Sequence, residues 1–318
     1  MMLCSTPCPV CGSLQSRFSL ENEDFLFRTT HKTFQMYRCR ECGTGFLCPQ
    51  PSAEELRAAY PTPYWWVMGQ RRSSLLGRLE EFYREIVLRH HVRVARRCFS
   101  CPQPRVLDIG VGSGTFLHVL RRMTGIQGEG LDVSADAARA ARDLYDITVH
   151  PLDIAEAGFP PNAFDLITMF HVLEHLPQPR EALLKILSWL APEGVLLVQV
   201  PNLNSYQARL FGSRWIGIDI PRHLVNFTPA GLRRLLEDTG FSPGAASFYS
   251  LRDSAPAIVS SLAPSLDPVA MAIQGNIRFA SARRLLYFGL VLLAQPLALL
   301  ESLLGKGGTM FLVAKKGS

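Results

Sequence analysis

The sequence predicts an α/β chain, a parallel sheet covered by helices on both faces, with a cysteine-rich module ahead of it and a helical insertion near its end. Three observations carry that expectation. From Arg105 onward, short apolar runs alternate with amphipathic stretches in the order strand, helix, strand, the pattern of a sheet whose strands are joined by helical crossovers. Six of the eight cysteines fall within the first 48 residues. Residues 285 to 300, "LLYFGLVLLAQPLALL", carry no charge at all.

Length and composition set the outer limits. With 318 residues, 47% of them apolar, the chain can bury a sizeable core, and disorder is not its default state. A formal charge of +6 favours an anionic partner or surface without naming one. The opening "MMLCSTPCPVCGS" lacks a basic segment followed by an apolar one, so a secretory signal is not expected. Grouped cysteines in such a chain favour metal over disulfides, and the expected home is a reducing cytoplasm, open to peripheral contact with the inner membrane face.

The first unit, 1–48, reads as a zinc ribbon. "CPVCG" places Cys8 and Cys11, and "CRECG" places Cys39 and Cys42, two residues apart with a glycine behind each pair, so two thiolate turns can close a tetrahedral four-sulfur site. A hairpin is expected between them, its strands at 25–27 and 34–37. Cys4 and Cys48 are expected to take no part. Cys98 and Cys101 form a further CxxC beside Pro102 and Pro104, expected to be packed or incidental rather than ligating. The second unit, 49–101, holds a capped short helix and an aromatic loop in "PSAEELRAAYPTPYWW", then a cation-rich amphipathic helix. Whether that helix merely leans on the main domain or covers a substrate stays open.

The third unit, 102–250 plus 306–318, is the main domain. Strands are expected at "RVLDIG", "GEGLD", "ITVH", "FDLITMF", "GVLLVQV" and "FSPGAASFYS", closing with "TMFLVAKK"; helices lie between. Ligands of parallel sheets collect at the carboxyl ends of the strands. In "VLDIGVGSG" the first strand ends at that place in a turn nearly free of side chains, and Gly110, Gly112 and Gly114 are expected there because a Cβ would hold a ligand off the backbone. Asp108 sets a carboxylate beside the turn. Asp132, 22 residues beyond Gly110 at the end of the next strand, is placed to accept hydrogen bonds from both hydroxyls of a ribose. A nucleoside-bearing cofactor follows.

"VLDIGVGSG" with "LDVS" resembles motifs I and II of the class I S-adenosylmethionine-dependent methyltransferases, and "HPLDI", "FDLITMFHVLEHL", "LAPEGVLLVQVPN", "FTPAGLRRLLEDTGF" and "TMFLVAKK" agree with that family in order. The resemblance covers about 105–250 plus the C-terminus. It implies a Rossmann-like sheet of seven strands, the last antiparallel, with S-adenosylmethionine over the carboxyl edge. Gly110 and Gly112 would approach its methionine part, with Gly114 in the same turn and Asp108 near the methionine amino group. Asp132 would hold the ribose, Asp153 the adenine amine, and Val133 and Ile154 would flank the adenine ring. Glu174 would follow the cofactor edge.

Beyond the fourth strand, "HVLEHLPQP" offers His171, Glu174 and His175, and "IDIPRHLVNFTP" offers His223 ahead of a helix started by Thr228 and Pro229. If the first stretch makes a helical turn, His171, Glu174 and His175 share a face, stopped by Pro177 and Pro179. The three histidines are the candidate catalytic residues. A base, a divalent metal held with Glu174, and a purely structural cluster all remain open.

The last unit, 251–305, is the insertion between the final two strands. Its uncharged run of 16 residues would span about 24 Å as a helix, short of a bilayer core, and Pro296 would bend it. A buried pair of helices covering the site or a dimer face competes with a segment lying on a membrane through 285–300. The functional expectation is methyl transfer from S-adenosylmethionine to a hydroxyl of a sugar, glycolipid or other small molecule. The ribbon-plus-catalytic arrangement is similar to that of bacterial sugar methyltransferases, and "HVLEHL" and "PRHLVNFT" to ubiquinone-type O-methyltransferases. An RNA methyltransferase is the rival enzyme, although Arg17, Arg28, Lys32, Arg38 and Arg40 are offset by Glu21, Glu23, Asp24 and Glu41, so nucleic acid is not favoured. A non-catalytic ribbon adaptor is the other alternative.

Overall fold

The computed structural model describes residues 4–60, 75–275 and 280–317, so the aromatic stretch 61–66 lies outside the described residues. Two sheets organise the chain. The smaller is built from β1 (Ser16–Asn22), β2 (Phe34–Cys39) and β3 (Gly45–Leu47). The larger contains β4 (Val106–Ile109), β5 (Gly128–Leu131), β6 (Val149–His150), β7 (Phe164–Phe170) and β8 (Leu190–Pro201). A short β9 (Val225–Asn226) follows, then β10 (Phe241–Pro243) and β11 (Thr309–Lys316).

The large sheet has the order β10-β11-β8-β7-β4-β5-β6. β4 to β8 run parallel, and β11 pairs antiparallel with both β8 and β10, so the antiparallel last strand is present as expected. β8 shows why such strands read as unbroken apolar runs: Leu196, Val198 and Val200 pack into one core and Val195 and Leu197 into another, because both faces are covered. The crossover helices obey local rules. In Thr115–Thr124, Phe116, Leu117, Val119 and Leu120 are buried on one stripe, and Gly125 ends the helix in the left-handed conformation. Two strands are shorter than the sequence suggests: "ITVH" contributes only β6, and "FSPGAASFYS" only β10 plus a bridge from Ser247 to Phe311.

The cysteine module is joined to the main domain through packing. β9, from the segment that carries His223, pairs with β3 and completes the small sheet, and Cys8, Cys39 and Cys42 belong to the same apolar core as Leu107, Ile167 and Leu232. The hairpin differs from expectation. β1 rather than 25–27 pairs with β2, because Asp24 draws residues 25–29 into a turn by accepting hydrogen bonds from the amides of Phe27 and Thr29. Leu26 and Phe27 then pack against Ala270 of the distant insertion. Cys4 and Cys48, expected to be idle, are joined by a disulfide. Cys98 and Cys101 are free.

The short helix Ala53–Ala58 has a complete capping box between Ser52 and Glu55. The cation-rich helix Leu75–Arg97 lies on the main domain through buried Val87, Leu88, Val92 and Ala95. In the insertion, Ala280–Leu303 is one helix of 24 residues with Pro296 inside it, longer than the 16 uncharged residues suggest.

Candidate active site

The glycine turn after β4 comes first in the chain, and its three glycines answer to three different neighbours. Gly110, Gly112 and Gly114 all have positive φ, so each needs the freedom glycine has. A Cβ on Gly110 would stand 2.2 Å from Val172 Cγ2, and one on Gly114 would stand 2.8 Å from Ile147 Cδ1. A Cβ on Gly112 would meet nothing within 4 Å. The expectation that all three stand clear for a ligand is therefore corrected. Gly112 borders open space, Gly110 admits the loop after β7, and Gly114 lets the helix Ala135–Tyr145 close on the turn.

Two acids flank the turn. Asp108 is buried at the end of β4, where Thr168 Oγ1 donates to it at 2.6 Å. Burial lifts its pKa to about 7, against the opposing hydrogen bond from Thr168. Asp132 accepts from the amides of Gly112 and Ser134, both at 2.9 Å, and so ties the glycine turn to the start of the next helix. Burial raises its pKa too, against those two amides. Each carboxylate oxygen retains a second acceptor position for a ribose hydroxyl. Val133 beside it is 65% exposed, an apolar surface at the sheet edge suited to a flat ring. Ile154 is drawn into the core, and Asp153 is exposed, capping its own turn through the amide of Ala155. Open space at Gly112, an exposed apolar Val133 and two buried acids fit the amino acid and nucleoside halves of S-adenosylmethionine.

The histidine turn follows β7, the immediate neighbour of β4 in the sheet. Only Leu173–His175 form a helical turn. His171 stands outside it with φ +58°, and Pro179 opens the next helix rather than merely stopping the turn. His171 and His175 therefore do not share a face, as a longer turn would have required. His171 Nδ1 donates to Glu174 Oε1 at 3.2 Å, and its Nε2 lies 3.4 Å from Asp253 Oδ2. Burial opposes the charge on His171, but Asp253 and then Glu174 outweigh it and push the pKa up to about 9. Those two carboxylates favour the charged form of His171, and the Gln199 amide nitrogen also lies 3.0 Å from its Nε2.

His175 and His223 face each other edge to face, with ring centroids 4.6 Å apart. His175 Nδ1 donates to the Arg222 carbonyl at 3.0 Å, and the Tyr60 hydroxyl lies 2.9 Å from the same nitrogen. Burial, and then His223, bring the His175 pKa down to about 4. His223 Nδ1 donates to the Gly217 carbonyl at 2.9 Å, which leaves its Nε2 as the acceptor, 4.0 Å from Glu174 Oε1. Glu174 is sealed among these rings. Its Oε2 has no hydrogen-bond partner among the described residues, and Glu174, His175 and His223 each offer a ligand atom within 4.8 Å of the others.

Several residues that hold this cluster carry no motif. Asp253 comes from the first turn of the insertion, and Gln199 on β8 donates to it at 2.6 Å while accepting from His91 Nε2 at 2.5 Å. Arg222 is fully buried under His223, paired with Asp24 at 2.7 Å and Asp219 at 2.7 Å, with its guanidinium over the Phe27 ring. Only the alternation of Asp and Arg in "IDIPRH" hinted at the second pair, and nothing in the sequence links Asp24 to it.

The four ribbon cysteines do converge. Cys8 and Cys42 sulfurs are 3.7 Å apart and those of Cys11 and Cys39 are 3.5 Å apart, with all four within 4.8 Å. Tetrahedral zinc with bonds of about 2.3 Å needs sulfurs about 3.8 Å apart, so the set fits a closed structural site. Thr228 Oγ1, at the cap of the helix Pro229–Asp238, donates to the Cys42 carbonyl at 3.0 Å and connects that site to the His223 loop.

With this geometry in hand, comparison with known proteins is informative. Residues 77–243 match the family described as methyltransferase domain. A mitochondrial ubiquinone biosynthesis O-methyltransferase of Candida albicans is 31% identical over 138 residues, 41% of this chain and 40% of that protein. A ubiquinone biosynthesis O-methyltransferase of Burkholderia pseudomallei is 28% identical over 152 residues, 44% and 65% of the respective chains. The matches thus span less than two thirds of either relative. Among solved structures, the cyclase SpnF superposes with a TM-score of 0.53 at 19% identity, covering 84% of this chain and 97% of that one. That likeness concerns the fold, which by itself does not name a reaction.

Proposed function

The chain belongs to the methyltransferase-domain family, and from that premise we propose that it transfers a methyl group from S-adenosylmethionine to a hydroxyl of a small molecule, with His223 as the base. The observation that carries the choice of base is the hydrogen bond from His223 Nδ1 to the Gly217 carbonyl. It fixes the tautomer with Nε2 as the acceptor, 4.0 Å from Glu174 Oε1 and 3.9 Å from Asp219 Oδ2, carboxylates that stabilise the imidazolium once a proton arrives. His171, its ring held by Glu174, Asp253 and Gln199, orients the cluster instead.

S-adenosylmethionine supplies, when bound, a methyl carbon activated toward displacement. The chain has three tasks: align the acceptor oxygen, take its proton, and keep water out. Asp108 and Asp132 would hold the amino and ribose ends, and Gly112 leaves room for the close approach. His223 Nε2 would receive the hydroxyl proton as the oxygen–carbon bond forms and the carbon–sulfur bond breaks. Support for an oxygen acceptor comes from the printed names of both relatives, which are O-methyltransferases. A sugar or glycolipid hydroxyl is the acceptor class we favour, in line with the ribbon-plus-catalytic arrangement.

His223→Ala should lower kcat by about 10²- to 10⁴-fold while S-adenosylmethionine affinity, measured by calorimetry, holds. Unchanged kcat on an accepted hydroxyl substrate would remove His223 from the role. A second reading is favoured by the partnerless Glu174 Oε2: a divalent cation held by Glu174, His175 and His223 would activate the hydroxyl instead. Loss of turnover on chelation, restored by added cation without change in ribbon zinc content, would select it.

A further inference from the structure

The helix Ala280–Leu303 has two unlike faces, and the outer one has no partner among the described residues. Inward, Tyr287, Val291 and Ala298 are buried, packing with Ala255, Ile258 and Val259 of the helix Ser254–Leu262, and Glu301 is buried too. Outward, Leu285, Leu286, Leu292, Leu293, Leu297, Leu299, Leu300 and Leu303 are each 46–78% exposed. The neighbouring helix Tyr206–Phe211 extends that surface with Tyr206 and with Leu210, which is 75% exposed. Between Arg284 and Lys306 the helix carries one charged residue, Glu301, and it is buried against Gln207. Contiguous exposed apolar faces rimmed by polar residues mark sites of interaction with a partner or a membrane.

We infer that this face docks on a lipid bilayer bearing anionic headgroups, with the helix lying flat in the interface. By length and composition the helix could cross a membrane, but its inner face is tied to the protein. Ser260 and Tyr287 hydroxyls lie 3.1 Å apart, Tyr249 donates to Gln295 at 2.9 Å, and Gln207 bonds Glu301; leaving the body would strand those groups in hydrocarbon. The charge pattern names the occupant. Exposed Arg209 stands beside Leu210, and part-buried Arg283 and Lys306 stand at the two ends of the helix, so cations border the leucines where headgroups would lie. A second copy of the chain fits poorly. A two-fold contact through the same face would set Arg283 and Arg284 against Lys306 if the helices ran antiparallel, and against themselves if parallel.

Docking would have a consequence for substrate, and this clause rests on the proposed methyl transfer: Asp253, which contacts His171, immediately precedes the helix that supports the leucine face, so an acceptor with an apolar tail could be drawn from the bilayer. The docking test is independent of that clause. Full-length protein is floated with vesicles of phosphatidylcholine alone and with vesicles containing phosphatidylglycerol. It should float with the anionic vesicles, and more weakly at high salt. Leu293→Glu with Leu297→Glu should weaken flotation at least tenfold while the melting temperature and calorimetric S-adenosylmethionine affinity are kept. A wild-type protein that ignores both vesicles, or a double variant that floats equally well, overturns the inference. So does a concentration-dependent dimer in sedimentation that the double variant abolishes in the absence of any vesicle binding. Absence of methyl transfer would leave the flotation result standing.

Discussion

Two turns stand side by side at the carboxyl edge of the large sheet, one after β4 and one after β7, and they are built in opposite ways. The glycine turn is tied together within residues 108 to 134, Asp132 bonding the amides of Gly112 and Ser134, while Ile147, Thr168 and Val172 close around it. The histidine turn is assembled from five distant pieces of chain: Tyr60, residues 171 to 175, Gln199, residues 217 to 223 and Asp253. One is bare backbone flanked by protonatable acids, and the other is crowded with rings and charges. A cofactor recognised through main chain needs only a local motif. Chemistry that requires one particular tautomer needs surroundings that the whole fold must supply.

The largest test of this contrast is zinc removal. Structural zinc contributes on the order of 10 kcal/mol in small domains, and here the site is tied to the His223 loop through Thr228 and β9. Cys42→Ser should lower both zinc content and melting temperature and cut acceptor turnover by at least a hundredfold, while S-adenosylmethionine affinity changes less than threefold. Equal loss of both would show the two turns to be one unit, as their shared core permits.

Asp24→Ala comes next. It leaves Arg222 buried with one carboxylate fewer, a loss of about 3–5 kcal/mol for a broken buried pair. Urea unfolding should report that loss, and at permissive denaturant-free conditions kcat should fall with cofactor affinity unchanged. A change confined to cofactor affinity would contradict the separation of the turns.

The third prediction concerns Asp108. Its folded pKa, about 7, is above the ordinary carboxylate value, so the folded state keeps a proton that the unfolded chain releases. Stability therefore declines as pH rises from about 4 through 7. Asp108→Asn, which still accepts from Thr168, should flatten that decline and raise apo stability above pH 7 by about 2–3 kcal/mol, while weakening S-adenosylmethionine about tenfold. Thermal melts across pH and calorimetry check both halves.

The smallest effect separates two glycines. Gly112→Ala bears only the left-handed strain of about 1–2 kcal/mol, and its methyl group enters the open space, so it should cost more in cofactor affinity than in stability. Gly110→Ala bears the same strain plus a clash with Val172, so its loss should appear mainly in melting temperature and be partly restored by Val172→Ala. Identical behaviour of the two variants would erase the distinction.

Legibility followed the span of each interaction. The CxxCG pairs, the glycine turn, Asp132 and the cap at Thr228 follow short motifs or fixed spacings along the chain, and so they are legible in the sequence. The first ribbon strand could not, since Asp24 pulled the apolar "FLF" into a turn whose packing partner, Ala270, is far along the chain. The histidines could be listed from sequence, but their roles could not be divided among them. That division depends on Asp253, the Gly217 carbonyl and the Arg222 carbonyl, none of which a periodicity or motif announces.

Sequence alone determined the alternation of strand and helix, the bare turn that ends β4 and the four thiolates of the ribbon, because backbone propensity and motif spacing act over short stretches. Tertiary structure decided which histidine is set between carboxylates, which has its tautomer fixed by a carbonyl, and that most leucines of 285–303 face outward. Desolvation, paired charge and burial are sums over everything nearby in space, and nearness in space between residues such as 24 and 222 exists only once the chain has closed on itself.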